Sequence, residues 1–158
     1  MALAEGEWIR RKQNLILTGA TGTGKSWLAC AFGNQACRQG FTTYYCTSTR
    51  LFEDIARSHA DGSLPKLRRH LIKTQLLIID DLGIGGIEKH LGPALLEIID
   101  QQSMNGALLL TSQFPTEKWY DLFGDPTIAD AILDRIVHRA HMLPLSGESM
   151  RKRKGKKL

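Results

Sequence analysis

Gly19-Ala20-Thr21-Gly22-Thr23-Gly24-Lys25-Ser26, followed by Trp27, reads as a complete G-x-x-x-x-G-K-S loop. Asn14-Leu15-Ile16-Leu17-Thr18 before it is a short apolar run suited to a buried parallel strand. Trp27 to Gln39 after it has helical composition and stops at Gly40. Strand, loop and helix in this order give the pattern a mechanism. The glycines let backbone N–H groups curl around phosphate oxygens without a Cβ clash. The helix that follows presents its positive N-terminus to the same anion. The segment Gly19 to Trp27 therefore predicts a nucleoside triphosphate site, with Lys25 on the β- and γ-phosphates and the Ser26 hydroxyl on Mg2+.

Outward from the loop, strand-like and helix-like stretches alternate. Thr42 to Cys46 is rich in β-branched and aromatic residues, and Thr47 or Ser48 can cap a helix from Arg50 to about His59. A second short helix over 64–73 carries leucines 64, 67 and 71 on one face. Leu76-Leu77-Ile78-Ile79-Asp80-Asp81 suits a strand buried on both sides. Leu91, Leu95, Ile98 and Ile99 mark an amphipathic helix, and Ala107 to Thr111 is the next strand. Residues 115–123 and 128–139 are expected to be helical, and His141 to Leu145 to be an edge strand because of Pro144. The alternation predicts an α/β fold with a mostly parallel five-stranded sheet and helices on both faces. Ligands of such folds lie at the carboxyl ends of the strands. Gly19 onward, Asp80-Asp81 and Thr111-Ser112-Gln113 would converge there.

Asp80 and Asp81 close an apolar strand, the Walker B arrangement. Asp80 would hold Mg2+ opposite Ser26, and Asp81 would orient and polarise an attacking water. Gln113 is the candidate for sensing the γ-phosphate, with Thr111 and Ser112 as competing choices. Arg135 and Arg139 lie one turn apart on a late helix, where either could reach a neighbouring subunit's γ-phosphate as a finger in trans. His138 and His141 are three apart but no cysteine or carboxylate cluster joins them, so no structural zinc is expected.

A chain of 158 residues bounds the protein to about one domain. No apolar run approaches a membrane span, and the first residues lack the pattern of a signal peptide. Three cysteines imply no disulfide framework, and Cys30 and Cys37, seven apart on one helix, are expected to share a buried face. A cytoplasmic protein with no membrane partner is the expectation. The net charge is +5, yet six of the 21 basic residues fall in Arg151-Lys152-Arg153-Lys154-Gly155-Lys156-Lys157. The rest of the chain holds 15 basic against 16 acidic residues. This divides the chain into a core over 1–146 and a basic tail over 147–158, expected to be disordered and to contact phosphate backbones.

In sequence the chain closely resembles the IstB-type ATPases, AAA+ helper proteins encoded beside the transposase in bacterial insertion sequences. The matching stretches are Glu7 to Asn14, the loop, Leu28-Ala29-Cys30-Ala31, Gln35 to Gly40, Ile79-Asp80-Asp81-Leu82-Gly83 and Thr111-Ser112-Gln113. The most specific is Asp125-Pro126-Thr127-Ile128-Ala129-Asp130-Ala131-Ile132-Leu133-Asp134-Arg135, followed by His138 and Gly147-Glu148-Ser149-Met150-Arg151. The resemblance implies an ATP- and Mg2+-dependent ATPase with an AAA+ core, forming a homo-oligomer on DNA with ATP at subunit interfaces and serving a cognate transposase. It raises Arg135 above Arg139 as the finger. Family members usually carry a further N-terminal region, whereas about a dozen residues precede the first strand here. The 23 residues after Arg135 are too few for a full helical lid.

Alternatives remain open at this level. A helicase loader shares the same core, and a non-hydrolysing, nucleotide-gated DNA-binding module would keep the pocket without turnover. A small-molecule kinase would need an acceptor pocket and lid arginines, and the Asp80-Asp81 pair argues against it.

Overall fold

A computed structural model describes residues 5–83 and 85–146; the basic tail lies outside these residues. Five strands run in parallel: β1 (Asn14–Thr18), β2 (Thr43–Thr47), β3 (Leu76–Asp80), β4 (Ala107–Ser112) and β5 (Ala140–Pro144). Their order is β2-β3-β4-β1-β5, so β1 lies inside the sheet between β4 and β5, and its loop opens there. The helices are α1 (Glu7–Arg10), α2 (Lys25–Arg38), α3 (Ser48–Asp61), α4 (Leu64–Ile72), α5 (Gly92–Asn105) and α6 (Pro126–Val137).

Alternation along the strands divides the core in two. Ile16, Leu77, Ile79, Leu108 and Leu110 face α3 to α6, where Leu51, Ile55, Leu95, Ile98 and Ile132 bury their side chains. Leu15, Leu17, Leu76, Ile78 and Leu109 face α1 and α2, against Trp8, Ile9, Ala29 and Ala36. Strands β3 and β4 are buried along their whole length, while edge strands β2 and β5 are partly open. This is why the central strands read as continuous apolar runs.

Local chemistry sets the helix ends. The Thr47 hydroxyl accepts from Arg50 N at 3.2 Å to start α3, and the Asp125 carboxylate accepts from Ile128 N at 3.0 Å to start α6, with Pro126 next. Two expectations are corrected. Residues 115–123 form two short 3-10 turns, Thr116–Lys118 and Tyr120–Phe123, because Trp119 is pinned. Its indole N–H donates to Ser112 Oγ at 3.2 Å and to the Phe114 carbonyl at 3.0 Å, and its ring is fully buried. Cys30 and Cys37 are exposed, since the buried face of α2 runs through Lys25, Ala29, Gly33 and Ala36. Gly33 belongs to that face because a Cβ there would stand 2.9 Å from Ile78 Cδ1.

Candidate functional site

The loop leaves β1 through Gly19, whose φ of 154° suits glycine alone. A Cβ at Gly19 would lie 2.5 Å from the Leu145 carbonyl oxygen and 2.9 Å from Thr23 Oγ1. Leu145 N in turn donates to Thr18 O at 2.6 Å, and Gly19 N to Ser112 O at 3.2 Å. The loop is thus seated between the ends of β4 and β5. Gly24 precedes α2 in the left-handed region, at φ 91°, and no side chain caps the helix. Its first-turn N–H groups and the helix dipole point where an anion would sit.

Lys25 is 7% exposed, and its ammonium donates to the carbonyls of Gly19 at 2.7 Å and Ala20 at 2.9 Å. Burial pulls its pKa below the ordinary lysine value, against the opposing pull of Asp81 and then Asp80. Its hydrogen bonds go to neutral carbonyls while the two carboxylates act on it without an ion-pair contact, so a polyphosphate would add a directly bonded anion. Ser26 Oγ donates to Asp80 Oδ1 at 3.1 Å, which brings the two residues expected to hold Mg2+ together across 54 positions of sequence. A hydroxyl beside a carboxylate is an all-oxygen donor set of the kind Mg2+ takes. Both groups therefore fit the residues present.

Thr111 organises the acidic pair. Its hydroxyl donates to Asp80 Oδ1 and accepts from Asp81 N at 2.9 Å. Ser48 Oγ donates to the Asp81 carbonyl at 2.9 Å. Asp81 itself sits at φ 59°, an uncommon conformation for a residue with a Cβ. Its carboxyl pKa is raised, first by burial and then by Asp80, with Lys25 opposing. Gln113 reaches the loop, with Thr21 Oγ1 and Gln113 Oε1 2.9 Å apart. Ser112 is occupied structurally, donating to the Leu82 carbonyl at 2.5 Å and accepting from Phe114 N and Trp119 Nε1. Trp27 follows the loop but is 71% exposed.

Arg135 and Arg139 are not brought to this cluster. Asn14, at the start of β1, donates through Nδ2 to the carbonyls of Ile136 at 2.8 Å and Arg135 at 3.3 Å. Both arginines therefore sit at the amino ends of the strands, a full strand length from the loop. They line a cavity of about 510 Å³ with Lys12, Asp100 and His138, and Arg135 Nε donates to Asp100 Oδ1 at 2.5 Å. Sequence reasoning missed Asn14 and Tyr45, whose hydroxyl donates to Asp80 Oδ2 at 2.5 Å. No helix among the described residues is long and apolar enough to cross a membrane.

Comparison with known proteins bears on the family and the fold. The insertion sequence ATP-binding protein y4pL of Sinorhizobium fredii is 43% identical over 157 residues, 99% of this chain and 64% of that protein. The chain thus spans less than two thirds of that relative's length. The replication initiator DnaA bound to AMPPCP and single-stranded DNA superposes with a TM-score of 0.77 at 18% identity, over 99% of this chain and 49% of that one. DnaI superposes with a TM-score of 0.77 at 22% identity, over 92% of this chain and 79% of that one. At these identities the likeness establishes the fold, an AAA+ P-loop core. Residues 1–158 match the family described as IstB-like ATP binding protein, and the chain belongs to that family.

Proposed function

We propose that this chain is the ATP-hydrolysing core of an insertion-sequence helper that assembles on DNA and assists a transposase. The observation that carries the hydrolytic part is the joining of loop and acidic strand end, with Ser26 Oγ 3.1 Å from Asp80 and Lys25 held at the loop's mouth. Loop amides and Lys25 would bind the phosphates, and Ser26 and Asp80 would hold Mg2+. That ion, when bound, neutralises charge on the β- and γ-phosphates. Asp81 would accept a hydrogen bond from the attacking water, with its backbone fixed by Thr111 and Ser48. Gln113 would hold Thr21 and the loop against the tip of β4.

Assembly is supported by the place of Arg135. An arginine at the opposite end of the sheet cannot serve its own chain's phosphates, whereas it can serve those of an adjoining copy. DNA contact is supported by α4 and the residue after it, where Lys66, Arg69, His70 and Lys73 are exposed and Leu64–Ile72 contains no acidic residue. Transposase assistance rests on the family alone.

The test is steady-state ATP hydrolysis with and without duplex DNA over a salt series. Stimulation by DNA that fades with salt is the expected result. Binding of ATP without turnover under any condition would leave a nucleotide-gated DNA-binding module. Stimulation by a replicative helicase in place of a transposase would move the reading to a helicase loader.

A further inference from the structure

Tyr45 sits on edge strand β2 with 45% of its surface exposed, yet its hydroxyl ends on a carboxylate that is only 2% exposed. The register explains the reach. Tyr45 pairs with Ile78, so its ring stands on the α2 face of the sheet and extends diagonally to Asp80 two residues on.

The two oxygens of Asp80 are served unequally. Oδ1 accepts from Ser26 Oγ, Thr111 Oγ1 and Asp81 N. A carboxylate oxygen offers two lone-pair sites, so Oδ1 is filled. Oδ2 accepts from Tyr45, which leaves it one further acceptor site.

We propose that Tyr45 is a positioning residue for the divalent cation, holding Asp80 so that the remaining acceptor site of Oδ2 is presented to cation-bound water. The inference rests on the reading that the loop takes a magnesium-bound nucleotide. The phenol carries the proton of this bond and the carboxylate has none to give, so Tyr45 donates and Asp80 accepts. The ring itself needs no such partner, since much of it faces solvent. What distinguishes tyrosine from phenylalanine here is the single hydrogen bond.

The experiment compares Tyr45→Phe with the parent chain, titrating a fluorescent ATP analogue in EDTA and in Mg2+. The readout is the gain in nucleotide affinity that Mg2+ confers. A hydrogen bond to a charged group, partly replaced by water at an exposed position, sets the expected loss in that gain at about tenfold. Affinity in EDTA should stay within about twofold, a negligible free-energy change. An equal gain in both proteins overturns the inference. So does a larger gain in the variant, which would make Tyr45 a competitor of the cation. A parallel loss with and without Mg2+ also overturns it, because it would mark general distortion of the loop. If the parent chain binds nucleotide with no Mg2+ dependence, the cation site itself falls, and the proposed hydrolysis falls with it.

Discussion

Asn14→Leu is expected to destabilise the fold by about 3 kcal/mol. Asn14 is 3% exposed and ties three elements together. Its Oδ1 accepts from Leu108 N at 2.9 Å, and its Nδ2 donates to the Ile136 and Arg135 carbonyls. Leucine has similar volume, so the change removes the hydrogen bonds with little added cavity. Leu108 N, on a residue 1% exposed, then has no acceptor, and stranding such a donor costs about 1–3 kcal/mol. The Ile136 carbonyl is stranded beside it, and the Arg135 carbonyl, being only partly buried, can turn to water. The assay is urea unfolding followed by tryptophan fluorescence, reading the buried Trp8 and Trp119. With a slope of about 2 kcal/mol per molar urea, the midpoint should fall by about 1.5 M. A fall below about 0.5 M at unchanged slope would refute the argument, because it would mean that the three bonds are replaced elsewhere.

Three further outcomes are expected. Arg135→Ala should keep ATP binding and lose DNA-stimulated hydrolysis by about a thousandfold, the scale of an arginine finger, whereas Arg139→Ala should not; full turnover in the assembled Arg135 variant would sink the trans assignment. Lys66→Ala with Arg69→Ala should weaken DNA binding and flatten the slope of log affinity against log salt by about 2, and an unchanged slope would move the DNA surface off α4. Asp81 must be ionised to polarise water, and its pKa lies above the ordinary aspartate value. Turnover should therefore decline as pH falls through that raised value, earlier than an ordinary aspartate would allow. An acid limb at the ordinary aspartate position would count against Asp81 as the polarising group.

The loop and the acidic strand end were legible because each is contiguous and its chemistry requires that order of residues. Tyr45 and Asn14 were not. Their partners lie 35 positions away for Tyr45 and from 94 to 122 for Asn14, and the contacts exist only once strand order is known. The misreading of Cys30 and Cys37 has a rotational cause. Seven-residue spacing places them on a common face but does not say which face, and the small residues Ala29, Gly33 and Ala36 were the signal that α2 approaches the sheet one position earlier. The helical expectation for 115–123 failed because Trp119 and Phe123 anchor the segment individually to the core, which composition alone does not reveal.

Leu145 and Gly19 press against each other at the top of the sheet, and the bond from Leu145 N to Thr18 O locks that contact in place. An outermost strand and the first turn of the nucleotide loop thus form one mechanical part. A shift of Leu145 would be passed directly to the glycine where the loop begins. Peeling β5 from β1 would remove one wall of that seat before any phosphate-contacting residue had moved. The firmness of the proposed nucleotide grip would therefore be set partly at a sheet edge away from the phosphates.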